Sequence, residues 1–142
     1  VWQTVAEGDA KTWERMFALN LKTALNASRA ALPHLIEAKG AIVNVGANGA
    51  TKAAAGMGAY AASKAGVARL TEALAEELKE HDITVNAVLP SIIDTPLNRA
   101  DMPKADFAKW VQPAQLADVI VFLLSERARA VTGALIPVVG RV

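Results

Sequence analysis

The sequence of 142 residues predicts an α/β fold built on a parallel sheet, and three features of it carry that prediction. The run Ala41-Ile42-Val43-Asn44-Val45, bounded by Gly40 and Gly46, is short and apolar, the pattern of a buried parallel strand. A second such run, Ile83-Thr84-Val85-Asn86-Ala87-Val88-Leu89, ends at Pro90. A helical stretch over about residues 58–80 lies between them, so the order is strand, helix, strand. A right-handed crossover then brings the start of the helix and the ends of both strands to one edge of the sheet, where ligands of open α/β sheets bind.

The other elements follow in order. Residues 9–38 form a long helical pattern in which Trp13, Met16, Phe17, Leu21, Leu25, Ala31, Leu32 and Leu35 recur at near-helical spacing. Gly46, Gly49, Gly56 and Gly58 belong to the loop after the first strand and read as a sharp bend beside a ligand. Residues 97–110, with Met102, Phe107 and Trp110 among charges, read as a short mobile lid. Residues 113–124 begin with a proline suited to a first helical turn and carry a broad apolar face, which predicts a buried helix. Residues 134–139 read as a last strand, and Pro137 assigns it to an edge or an end. No repeat, low-complexity tract or linker interrupts the chain, so residues 1–142 count as one domain.

Composition excludes several functions. Fifteen basic and fourteen acidic residues are interspersed and leave a net charge of +1, without the basic stripe of a nucleic-acid binder. The 53% hydrophobic content contains no run near the roughly twenty apolar residues that span a bilayer, so no membrane partner is expected. Zero cysteines exclude disulfides and thiolate metal sites and agree with a cytoplasmic location. His34 and His81 stand apart from each other and from carboxylate clusters, so they read as surface or cap residues and no metal is expected.

The chemistry concentrates at Tyr60, the single tyrosine, four residues before Lys64 in Gly58-Ala59-Tyr60-Ala61-Ala62-Ser63-Lys64-Ala65-Gly66. Residues at i and i+4 share a helix face, so the ammonium is expected to favour ionisation of the phenol. A phenol near its ordinary pKa of about 10 is a poor acid or base at neutral pH, and a neighbouring cation makes it useful.

With Asn20 in Met16-Phe17-Ala18-Leu19-Asn20-Leu21, the strand Ile42-Val43-Asn44-Val45, Tyr60 with Lys64, and Asn86-Ala87-Val88-Leu89-Pro90-Ser91-Ile92-Ile93-Asp94-Thr95-Pro96, the chain resembles the C-terminal part of a short-chain dehydrogenase/reductase. The blocks stand in family order and at family spacing over nearly the whole chain. The resemblance implies a Rossmann-like doubly wound parallel sheet and hydride transfer between NAD or NADP and a carbonyl or secondary alcohol, a small-molecule substrate. It implies Tyr60 as proton donor and acceptor, Lys64 on the nicotinamide ribose, and Asn20 bending its helix and holding a water that relays protons to the lysine. The alternative for Asn20 is a core amide satisfying a neighbouring carbonyl. Pro90, the backbone of Ile93 and the hydroxyl of Thr95 would meet the cofactor with Tyr60 and Lys64. A homodimer or homotetramer is implied too, with Ala61, Ala62, Ala65, Ala68, Ala73 and Ala75 leaving room for close packing against a partner.

Two departures qualify the resemblance. None of the nine glycines forms the Gly-x-Gly-x-x-Gly turn that cradles a pyrophosphate, nor is the residue that selects NAD or NADP present. The sequence therefore reads as the later part of a longer domain. Alone it is expected to expose the edge of its first strand, to aggregate and to bind no dinucleotide. The family's catalytic serine is expected thirteen residues before the tyrosine, where this chain has Ala47, so Asn48 or Thr51 becomes the replacement donor on the substrate side. A non-catalytic family member serving assembly or ligand sensing is the competing expectation, and loss of the serine would be its trace.

Overall fold

The computed structural model describes residues 2–142. The chain enters α1 (Ala10–Met16) through Asp9, whose carboxylate accepts from the Thr12 N–H at 2.8 Å. The helix continues through a π-helical segment, Phe17–Lys22, into α2 (Thr23–Ala38). Asn20, expected to bend this helix, lies within the π segment, where the hydrogen-bond ladder widens and Thr23 Oγ1 donates to the Leu19 carbonyl at 2.6 Å.

Three parallel strands, β1 (Ala41–Val45), β2 (Thr84–Pro90) and β3 (Leu135–Val138), form a sheet in the order β1-β2-β3. Val43 faces Asn86 in one register and Leu89 faces Pro137 in the other. All seven residues of β2 are buried, and it begins one residue later than its apolar run. β1 is the exposed edge expected of this chain alone: only Asn44 is buried, and Val45 is exposed, because β2 alone flanks it among the described residues. Pro137 stands on the opposite edge, where a missing N–H costs no ladder bond.

The crossover helix α3 (Gly58–Glu77) ends before residue 80 and passes through a 3-10 turn, Lys79–His81, to Asp82 in the left-handed conformation. Its small residues serve this chain first. Ala61, Ala68 and Ala75 are buried within it, so they are not free to receive a partner. Close approach to the first helix is set at Gly66, where a Cβ would meet Leu21 at 3.0 Å. On one sheet face Leu74, Leu78, Ile83 and Val85 pack with Leu32 and Leu35; on the other Val88 and Val111 pack with Leu116 and Leu123 of α5 (Pro113–Leu124).

Helix α5 departs from its expected burial. Only Leu116 and Leu123 are buried, while Val121, Phe122 and Leu124 are exposed, because its apolar sector is wider than one sheet face can cover. His34 and His81 are exposed, as expected. At the end of the sheet away from the crossover loop, Arg129 donates to the carbonyls of Lys39, Gly40 and Asp82, tying together the two non-glycine residues with positive φ.

Candidate active site

The site forms where β1 and β2 end and α3 begins. Chain exit from β1 is governed by Gly46, whose N–H donates to the Val88 carbonyl at 2.9 Å. A Cβ there would lie 2.5 Å from Leu89, so this glycine answers to strand contact and not to a bend. The turn residue of the loop is Gly56, at φ +77°. After Gly46 come buried Ala47 and a 3-10 turn, Asn48–Ala50, and α3 then delivers Tyr60 and Lys64 to the same edge.

These elements enclose a cavity of about 960 Å³. Val45, Gly46, Ala47, Tyr60, Lys64, Pro90 and Ile93 form its inner wall with Met57, Ser91 and Ile92, and Trp2, Asn98, Asp101 and Met102 close its outer side. Tyr60, Lys64, Ala47, Pro90 and Ile93, named from sequence, are thus brought together. Thr95 stands just outside as the cap of α4 (Pro96–Asp101), accepting from the Asn98 N–H at 3.2 Å. Asn48 and Thr51 do not line the cavity, and the Thr51 hydroxyl is spent on the Asn48 carbonyl at 2.8 Å. Asn20 lies behind the wall: its Nδ2 donates to Ser63 Oγ at 2.9 Å, and Ser63 Oγ donates to the Tyr60 carbonyl at 2.7 Å. The first helix is thereby tied to the turn that carries the tyrosine.

The electrostatics differ from the expectation drawn from spacing. Burial raises the Tyr60 pKa above its ordinary 10.0 and lowers that of Lys64 below 10.5. Lys64 does not draw the phenol downward, because its Nζ is anchored on the Val45 carbonyl at 2.9 Å. Tyr60 Oη has no hydrogen-bond partner among the described residues, so the ring loses water without gaining a charge-stabilising contact. The raised phenol pKa gives a contribution to stability that is complete below pH 10 and lost as pH rises through the folded value. The lowered lysine pKa works with the opposite sign: its contribution is present above 10.5 and lost as pH falls through the folded value. As the single tyrosine, Tyr60 can be titrated alone by phenolate absorbance. The midpoint in the folded, ligand-free chain is expected above 10.0, and one below it would show the ammonium acting directly on the phenol.

Sequence reading did not single out Trp2, Met57, Asn98 or Asp101. Trp2 reaches the cavity because the Gln3 N–H donates to the Gly56 carbonyl at 2.9 Å, a contact with no local sequence signal. Asn98 and Asp101 were concealed in the lid stretch, and only the helical turn of α4 turns them to one side. Among the described residues no helix is long and apolar enough to cross a membrane, and no cluster of His, Cys, Asp or Glu could hold a metal ion.

A parallel sheet with a crossover helix and a cavity at its carboxyl edge is the arrangement of the Rossmann-fold class. The family model described as enoyl-(acyl carrier protein) reductase matches residues 2–140, and the chain belongs to the short-chain dehydrogenase/reductase family. The 3-oxoacyl-(acyl-carrier-protein) reductase of Thermotoga maritima is 35% identical over 137 residues, covering 90% of this chain and 56% of that protein. The (3R)-3-hydroxyacyl-CoA dehydrogenase of Canis lupus familiaris is 35% identical over 139 residues, covering 90% and 53%. Among solved structures, a 3-oxoacyl-(acyl-carrier protein) reductase with bound NAD from Brucella melitensis superposes with a TM-score of 0.87 at 34% identity, over 100% of this chain and 56% of that one. The chain spans about half the length of the curated relatives it matches.

Proposed function

We propose that the intact protein is an NAD(P)-dependent oxidoreductase that transfers hydride between a nicotinamide cofactor and a carbonyl or secondary alcohol. The observation that supports this is the meeting of Tyr60 and Lys64 in the wall of one cavity at the carboxyl edge of the sheet, with the phenol unpartnered and protonated.

The donor set suits the nicotinamide end of such a cofactor. The Ile93 N–H is engaged by no backbone acceptor among the described residues and would donate to the carboxamide oxygen. The Ile93 carbonyl, which accepts from Asn98 Nδ2 at 2.7 Å, and the Thr95 oxygen, which accepts from the Asn98 N–H at 3.2 Å, each keep a lone pair for its NH2. A carboxamide needs one donor and one acceptor, so Ile93 and Thr95 would orient it, Pro90 would back the ring, and Lys64 and Tyr60 would meet the ribose. The cofactor supplies or takes the hydride when bound. In reduction Tyr60 Oη gives its proton to the substrate oxygen as the carbonyl carbon becomes C–H; in oxidation it takes the proton back. Lys64, its Nζ held on the Val45 carbonyl, would secure the ribose beside the phenol, and Asn20, through Ser63, fixes the turn that aims Tyr60.

On the substrate side Ala47 supplies a methyl where a hydroxyl would assist. With Thr51 engaged, Asn48 is the remaining candidate for a second hydrogen bond to the substrate. Neither lines the cavity as it stands, so the substrate oxygen relies mainly on Tyr60, and the enzyme is expected to be slow. The exposed apolar face of α5 supports assembly as a homodimer or homotetramer.

The test is cofactor-dependent turnover of the intact protein across a panel of carbonyls and secondary alcohols, with NAD and NADP in both redox forms. Turnover is expected, and Ala47→Ser is expected to preserve it or raise it by up to about a hundredfold, the scale of one oxyanion donor. Ala47 itself favours the competing reading of a non-catalytic member, which the panel would establish if cofactor bound without any turnover.

A further inference from the structure

We infer that Arg99 is a positioning residue: by joining Asp94 to Phe107 it braces the excursion of residues 95–110 so that α4 holds its polar face against the outer side of the cavity. The excursion begins and ends at one neck. Ile93 pairs with Val111 in a parallel bridge, the Val111 N–H donates to the Ile92 carbonyl at 3.0 Å, and the Asp94 N–H donates to the Val111 carbonyl at 2.8 Å. Between these fixed ends the chain has only the six-residue α4 and a 3-10 turn, Phe107–Lys109, lengths that hold no shape alone.

Side chains supply what the backbone lacks. Arg99 grips Asp94 with two parallel bonds, Nε to Oδ1 at 2.6 Å and Nη2 to Oδ2 at 2.7 Å. Its guanidinium also lies over the Phe107 ring, 4.7 Å from the centroid, and Phe107 meets the buried Trp110 at 4.8 Å. Gln112 Nε2 donates to Asp94 Oδ2 at 3.0 Å, anchoring the carboxylate to the start of α5. The brace therefore runs from the neck through α4 to the 3-10 turn and back to the neck. Asp94 is only 7% exposed, so a carboxylate deprived of Arg99 would keep little solvent and one amide. Arginine is required, because a lysine cannot both fork onto a carboxylate and stack on a ring. Arg99 and Gln112 hold the Asp94 carboxyl at about 2, so the brace is complete above the ordinary carboxylate range and is lost only as pH falls through that value. The same helix and its C-cap bring Asn98, Asp101 and Met102 into the lining of the cavity that Tyr60 also lines, so the brace sets part of the wall that a substrate meets.

The test combines amide hydrogen exchange with kinetics in the intact protein, for Arg99→Lys, Asp94→Asn and the milder Phe107→Leu. Exchange of the amides in 97–109 is expected to quicken at least about tenfold in the first two variants and less in the third, with the sheet amides unchanged. KM for a carbonyl substrate is expected to rise about tenfold, with kcat within about twofold. Unchanged exchange would overturn the brace. Faster exchange with unchanged KM would overturn the positioning role. The KM arm rests on the oxidoreductase reading; if the intact protein turns over no substrate, that reading fails, while the exchange arm still decides the brace.

Discussion

Replacing Tyr60 by phenylalanine is expected to lower kcat of the intact protein by about 10²–10⁴-fold, the range of a positioned general acid, while leaving Tm nearly unchanged and weakening cofactor binding only by the one hydrogen bond its hydroxyl would give the ribose. The separation of these effects follows from the contacts. The phenol oxygen has no partner among the described residues, so deleting it strands no described donor or acceptor, and the ring that fills the wall is retained. Lys64 stays on the Val45 carbonyl, and Ser63 continues to hold the Tyr60 backbone, because neither contact uses the hydroxyl. The raised phenol pKa already disfavours the anion, so removing the hydroxyl takes away a proton source and no structural charge. Steady-state turnover, cofactor titration and thermal unfolding of the variant check the three parts separately. Unchanged turnover would sink the role of Tyr60; lost folding would show that the hydroxyl has a structural partner.

Much of this fold was legible in the sequence because its central elements announce themselves locally. β2 is buried on both faces, so its seven residues read as a mainly apolar run without alternation, broken only by Thr84 and Asn86. α3 was legible for the complementary reason, and the resemblance that placed Tyr60 and Lys64 together rested on motif order that three-dimensional contact must obey. Misreadings arose wherever the outcome depended on what covers a surface. The edge at β1 was expected, but the wide apolar sector of α5 cannot tell that part of it meets no neighbour among the described residues. The glycines show the same limit: composition marks a loop, but only the sheet reveals that Gly46 is compelled by Leu89 while Gly56 is compelled by its φ.

The site was half legible. Helical spacing fixes which residues share a face, so Tyr60 and Lys64 were found; it is silent on competing acceptors, so the Val45 carbonyl, nineteen residues away, was missed and the phenol pKa was expected in the wrong direction. Trp2 reaches the cavity through a contact that has no periodicity, and Asn98 and Asp101 through a helical turn too short to announce itself in the sequence. The next polar residues in sequence are the natural replacement donors for the missing serine, but neither Asn48 nor Thr51 lines the cavity in this structure, and the Thr51 hydroxyl is bonded to the Asn48 carbonyl.

Asn86→Leu is expected to destabilise the protein by about 2–4 kcal/mol, which lowers Tm by roughly 10 °C for a chain of this size, even though leucine keeps the γ-branched shape at somewhat greater bulk. Asn86 is fully buried in the middle of the central strand. Its Nδ2 donates to the Val131 carbonyl at 2.8 Å and its Oδ1 accepts from the Ala134 N–H at 3.0 Å, so one side chain satisfies two backbone groups of the segment leading into β3. The registered pairing of β2 with β3 covers only four residues, Ala87 with Leu135 through Pro90 with Val138. Asn86 carries the docking further back along the chain, beside Thr132 Oγ1, which accepts from the Val85 N–H at 3.1 Å, and the Gly133 N–H, which donates to the Val85 carbonyl at 2.8 Å. Leucine would fill the space and strand both groups, and their partial exposure lets water recover part of the loss. Chemical denaturation measures the total, and hydrogen exchange at the Ala134 amide locates it; a cost under about 1 kcal/mol would mean water replaces the amide without loss. The effect should also reach the cavity. Ser91, in the cavity wall, donates its hydroxyl to the Val139 carbonyl at 2.8 Å, so a β3 loosened at its start carries that disturbance to the edge where Tyr60 works.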